Sequence, residues 1–204
     1  MKCKFHKIKR RIGRIAMLKE LVVKNRSYRR FYQEKEIGSE QLKALVDIGR
    51  LTASGANRQP VRYILSNEAA KNEIIFQCLR WAGYLENWDG PEEGEKPAAY
   101  IIMVEPKDVN AAHDEGIIGQ TMLLAAAEQG FGGCFLANID RKKLREGLKI
   151  DEKYDIKLAL ALGYPKEEVV IEEISETEDI RYYRDPEKVH HVPKIRLADL
   201  ILDI

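Results

Sequence analysis

The run Ala98-Ala-Tyr-Ile-Ile-Met-Val104 is apolar at almost every position. A strand with one wet face alternates apolar and polar side chains, so a strand that does not alternate is covered on both faces. The chain must therefore build a sheet with a layer on each side. Residues 17–25 read as a helix with Leu18, Leu21 and Val22 on one face. Ser39 reads as the N-cap of a second helix, with the stripe Leu42, Leu45 and Val46, running to about Thr52. Val61–Leu65 reads as a strand and Glu68 to Trp81 as a helix. Asp114 reads as the cap of a long helix to Gln129, stopped by Gly130, with Gly116 and Gly119 open to close backbone approach. Gly132–Ala137 and Lys157–Leu162 are further strands around a short helix that Asp140 caps. The last 40 residues read as a charged, irregular tail, closing on an apolar stretch, Leu197–Ile204, with no local partner. Interleaved elements at uneven spacing predict an α+β fold rather than a doubly wound sheet.

At 204 residues the chain fits one domain able to bury about 70% of its unfolded surface. No stretch approaches the roughly 18 apolar residues of a membrane span, so a membrane role is not expected. Cys3, Cys78 and Cys134 are scattered and odd in number, which fits a reducing, cytoplasmic compartment and neither a disulfide framework nor a zinc site. The net charge of +1 conceals an asymmetry: residues 1–16 carry seven Lys or Arg and no acid, leaving −6 on residues 17–204. The domain reading is a basic extension, 1–16, ahead of a body, 17–204. A basic arm either binds polyanions or is a solvated extension; general nucleic-acid binding is not expected of the mildly acidic body.

Several kinds of chemistry are missing. There is no GxGxxG, no GxxxxGK[ST] and no GxSxG, which removes the usual dinucleotide, P-loop and nucleophile-elbow signatures. His190 and His191 are adjacent, and neighbours on extended backbone point apart, so no metal site is expected. Two segments stand out instead. Arg26-Ser27-Tyr28-Arg29 sets two guanidinium forks and a hydroxyl together, which suits a phosphate. Ser54-Gly55-Ala56-Asn57-Arg58-Gln59-Pro60 offers two carboxamides that donate and accept, which suits the edge of a heterocycle. Alone, the first also reads as a helix end pairing with Glu34 or Glu36, and the second as a loop that satisfies its own backbone.

In this order and spacing the segments resemble the nitroreductase family of FMN-dependent oxidoreductases. The resemblance runs from Met17 to the C-terminus. It rests on Arg26-Ser27-Tyr28-Arg29-Arg30-Phe31, on Ser54 to Pro60, on Gly130-Phe-Gly-Gly-Cys134 running into Leu136-Ala137, on Ala159 to Pro165, and on Lys194 and Arg196. The resemblance implies a central mixed sheet flanked by helices and a homodimer in which the C-terminal segment is exchanged. It implies that Arg26, Ser27, Arg29, Lys194 and Arg196 hold the FMN phosphate. Ser54, Gly55, Asn57 and Gln59 would line the ribityl chain and pyrimidine edge, with Leu136 and Ala137 facing the flavin. The implied activity is ping-pong hydride transfer from NADH or NADPH through flavin N5 to a nitroaromatic or quinone, with no catalytic side chain. A reductive dehalogenase or dehydrogenase on the same fold, or a non-catalytic FMN-binding module, stay open as alternatives. Residues 81–97, acidic and carrying Trp81, Tyr84 and Trp88, are either a substrate lid or a surface loop whose aromatics tuck into the core.

Overall fold

A computed structural model of the protein describes residues 17–109 and 113–202; the basic extension 1–16 lies outside the described residues. Residues 17–24 are helical (α1), followed by α2 (Ser39–Gly49), β1 (Arg62–Ser66), α3 (Ala69–Phe76), β2 (Ala99–Pro106) and α4 (Asp114–Glu128). Then come β3 (Gly132–Leu136), α5 (Arg141–Leu148), β4 (Tyr154–Gly163), β5 (Val169–Ile174), β6 (Tyr183–Arg184), β7 (His190–Ile195) and the short α6 (Leu197–Leu200). The fold is α+β. No described helix is long and apolar enough to cross a membrane.

The four-stranded sheet has the order β1-β2-β4-β3, and the apolar run is its inner strand β2. Alternation along β2 sends Tyr100, Ile102 and Val104 to one layer, with Ile75, Leu79, Leu144 and Ala161. Ile101 and Met103 go to the other, with Leu42, Leu45, Met122 and Leu160. Helices α3 and α5 thus cover one face, and α2 and α4 cover the other, which is why neither β2 up to Val104 nor β4 from Leu158 to Leu162 carries polar alternation.

Local chemistry corrects several expectations. Gly38, not Ser39, caps α2, and the Gln41 side chain reaches back to accept the Gly38 amide at 2.9 Å. Helix α3 stops at Phe76, and Trp81 is buried in the core beyond it. The central sheet is not mixed, because all three of its strand pairs are antiparallel. Parallel pairing occurs instead between β5 and β7, which residues 175–189 separate enough to allow the crossover. The last 40 residues are not irregular: β5, β7 and β6 form a second sheet in that order. Its strands are short and half-exposed, so their charged residues hid the pattern. Gly119 serves the chain's own packing, since a Cβ there would stand 2.4 Å from Phe135 Cε1, whereas Gly116 has nothing within 4 Å. Leu197, Leu200, Ile201 and Leu202 are exposed around and beyond α6.

Candidate functional site

The segment after α1 is laid along the edge of β3. Ser27 bridges Gly133 in parallel register, and the Tyr28 amide donates to the Gly133 carbonyl at 3.2 Å. The close fit requires glycine, because a Cβ on Gly133 would fall 1.9 Å from the Ala161 carbonyl oxygen. Downstream, the Arg29 and Arg30 amides both donate to Glu167, a buried carboxylate whose other oxygen accepts Arg184 at 3.1 Å. That knot ties the Arg-Ser-Tyr-Arg segment to the C-terminal sheet.

Between them lies a cavity of about 320 Å³. Arg26, Ser27 and Arg29 line it from the first segment, with Asn25 beside them; Gln120 and Leu123 line it from α4 and Phe135 from β3. Tyr182, His190, Val192 and Lys194 complete the wall. Three cations and no carboxylate line it. Arg29 is pinned by Nη1 donating to the Ser27 carbonyl at 3.1 Å and by its guanidinium lying 4.9 Å from the Tyr182 ring centroid. Arg26 Nε and His190 Nδ1 are buried without partners. Buried unpaired donors around a cationic hollow are the arrangement that accepts an anion with several oxygens, such as a phosphate monoester.

The Ser54–Pro60 loop stands against a second cavity of about 370 Å³, lined by Ser54, Gln59, Arg62, Tyr63 and Ile118 among others. Asp114 anchors the loop: its buried carboxylate accepts the Ser54 hydroxyl at 2.6 Å and the Gly55 amide at 3.1 Å. His113 takes the N-cap position expected of Asp114. Ser54 Oγ in turn accepts the Gln59 amide at 2.9 Å, and Gln59 Nε2 donates to Asn57 Oδ1 at 3.0 Å. Ala56, Asn57 and Gln59 all sit at positive φ, so the loop is a preshaped, strained turn rather than a slack connection. Helix α4 is the shared wall, contributing Ile118 to one cavity and Gln120 and Leu123 to the other.

The other expected site residues fall elsewhere. Arg196 Nε donates to Asp199 at 2.8 Å, and Arg196 lines neither cavity. The Leu136 side chain is in the core, and Ala137, past the end of β3, gives its carbonyl to Arg141. Alternation makes Phe135 the β3 side chain at the cavity. In residues 81–97, Trp81 is core and Trp88 lies 4.8 Å under Arg184. Tyr84 is exposed and rests on Tyr182 at 5.0 Å. Glu95 is tied to Arg30 at both oxygens and to Lys166; the Arg30 hydrogen bonds pull its carboxyl down to about 2. Sequence reasoning did not find Asp114's tether, Glu167 or His190. The i, i+2, i+4 spacing of His190, Val192 and Lys194 is the signal that places the histidine beside the lysine.

A profile of the nitroreductase family matches residues 22–164, well over half of the chain. A protein of Archaeoglobus fulgidus, carrying the provisional name NADH dehydrogenase/NAD(P)H nitroreductase, is 25% identical over 170 residues, 79% of this chain and 90% of that protein. Among solved structures, an FMN-dependent nitroreductase of Clostridium difficile superposes with a TM-score of 0.60 at 23% identity, over 72% of this chain and 87% of that one. The NADPH:FMN oxidoreductase of Vibrio harveyi complexed with NAD+ gives 0.57 at 22% identity, over 72% and 68%. At these identities both structures speak to the fold. The chain belongs to the nitroreductase family and is, by that membership, an oxidoreductase. The second sheet lies beyond the profile's span.

Proposed function

We propose that the protein is a homodimeric, cytoplasmic FMN-dependent oxidoreductase. It would take electrons from NADH or NADPH and pass them in turn to a small acceptor of nitroaromatic or quinone type. The observation that carries this reading is the acid-free cavity of Arg26, Ser27, Arg29 and Lys194, with buried donors that lack partners. Those residues fit a phosphate dianion by charge and by donor supply. The Asp114-anchored loop fits a heterocycle edge, through the amides of Asn57 and Gln59 and the backbone at Gly55. The Clostridium and Vibrio proteins, both named for FMN, support the choice of cofactor.

When bound, FMN supplies the redox chemistry, so no side chain here needs to act as acid or base. The chain's own part is positioning. Arg29, fixed by Ser27 and Tyr182, anchors the phosphate end; the rigid loop sets the ring end; α4 fixes the spacing between them. Arg196 is left out of the grip because Asp199 occupies it. Of the three aromatics in residues 81–97, Tyr84 is exposed and rests on Tyr182, whereas Trp81 and Trp88 serve packing. The dimer reading is supported by apolar side chains that stay exposed among the described residues, Leu18 and Val22 on α1 and Leu200, Ile201 and Leu202 after β7. Anaerobic stopped-flow mixing of the FMN-loaded protein with NADH and with NADPH tests the activity. Flavin bleaching with at least one donor is expected; bleaching with neither would sink the oxidoreductase reading for this chain.

A further inference from the structure

His190 and Lys194 project from the same face of β7, with Val192 between them, and all three line the cavity that contains Arg26, Ser27 and Arg29. His190 is 1% exposed. Its Nε2 lies 3.3 Å from Arg29 Nη1. A guanidinium only donates, so Nε2 is the acceptor and the neutral ring carries its proton on Nδ1. Burial, and then the charges of Arg29, Arg184 and His191, bring the ring down to about 4, so it is uncharged near neutral pH. The Nδ1–H has no partner. A buried donor left unpaired is destabilising, and this one stands in the wall of a cationic cavity.

We propose that His190 is a binding residue for the anion in this cavity, donating its Nδ1–H to an anion oxygen while its Nε2 holds Arg29. The proposal rests on the reading that the FMN phosphate occupies the cavity. Tyr182 fixes the geometry: its ring packs on His190 at 5.3 Å and under the Arg29 guanidinium at 4.9 Å, so one aromatic ring orients both donors. A neutral donor adds a hydrogen bond to the dianion without burying a fourth charge beside Arg26, Arg29 and Lys194. The assignment adds a second side chain of the C-terminal sheet to the site, beside Lys194.

Riboflavin has the same ring system as FMN and no phosphate, so the ratio of the two affinities isolates the phosphate contact. Flavin-fluorescence titrations of wild type, His190→Phe and His190→Asn are compared. His190→Phe keeps the aromatic packing and is expected to lose about tenfold in FMN affinity with riboflavin unchanged. His190→Asn keeps an N–H near the Nδ1 position and is expected to recover most of that loss. An FMN-to-riboflavin ratio equal to wild type in His190→Phe overturns the proposal, as does an equal loss in both variants. In 15N-labelled wild-type protein, the His190 Nδ1 resonance is expected to move with FMN and with inorganic phosphate but not with riboflavin. A resonance that stays put overturns the assignment without any variant. If wild type binds neither flavin, the FMN reading fails on its own. The inorganic-phosphate arm then decides His190: a shift supports the anion contact, and no shift ends it.

Discussion

The Asp114 carboxylate, buried in the first turn of α4, accepts the Ser54 hydroxyl at 2.6 Å and so fixes the Ser54–Pro60 loop to the dimension of a helix. Removing it leaves the Ser54 hydroxyl and the Gly55 amide without their acceptor. Asp114→Ala should cost about 1–3 kcal/mol of stability, read from urea unfolding midpoints. It should also weaken FMN binding, because the positive-φ turn loses its anchor. Unchanged stability and affinity would show that the loop holds its shape without Asp114.

Gly133 is where two demands meet. It pairs with β4 and it carries the Ser27 bridge. A Cβ at 1.9 Å from a backbone oxygen cannot be relieved by rotating a side chain. Gly133→Ala should therefore cost more than about 3 kcal/mol, by separating β3 from β4. Thermal unfolding followed by circular dichroism measures this, and a shift within about 2 °C of wild type would contradict it.

Much of the fold was legible because the apolar run demanded two covering layers and α2 carried a clear stripe in Leu42, Leu45 and Val46. The grouping of Arg26, Ser27 and Arg29 was legible too, since two cations and a hydroxyl stand at short spacing; Lys194, which lines the same cavity, came only from the family resemblance. The second sheet was not. In β5 the acidic pair Glu172 and Glu173 masks the apolar Val169 and Ile171, and β6 is only two residues long. Asp114 at a helix start reads equally as a cap or as a tether, and only the position of Ser54 in space decides. For residues 81–97 the sequence left two readings open, and Trp81 follows the one in which the aromatics tuck into the core, while Trp88 lies under Arg184.

The Arg30–Glu95 pair sets a pH dependence. Glu95 titrates lower in the folded chain than in the unfolded one, chiefly through the Arg30 hydrogen bonds. Its contribution is present above the unfolded value, near 4.3, and is lost as pH falls through about 2. Glu95→Gln should be destabilised by about 1–2 kcal/mol at neutral pH. The gap to wild type should close in acid, in urea melts taken at successive pH values. A gap of constant size would show that the pair adds nothing through its charge.

The second sheet has the opposite sign. His191 Nδ1 lies 2.6 Å from Glu172 and Nε2 lies 3.0 Å from Asp185, while Tyr183 stacks on the ring at 4.6 Å. Hydrogen bonds to Asp185 and then Glu172 raise the imidazole above its ordinary value. The doubly donating imidazolium thus stabilises the sheet fully below the unfolded pKa, near 6.5, and progressively less as pH rises through the folded one. Thermal midpoints of wild type and His191→Gln should differ most in mild acid and converge in mild alkali. Convergence in acid instead would reverse the assignment.

The FMN binding proposed for this protein depends on one cavity receiving one phosphate. FMN is titrated into the purified protein and into Arg29→Ala, following flavin absorption and fluorescence, with circular dichroism as a check on folding. The prediction is saturable binding at one FMN per chain in wild type and an affinity at least about tenfold weaker in the variant, with the fold unchanged. Wild-type protein that leaves the flavin spectrum untouched, or a variant that binds FMN as tightly as wild type, would contradict the claim.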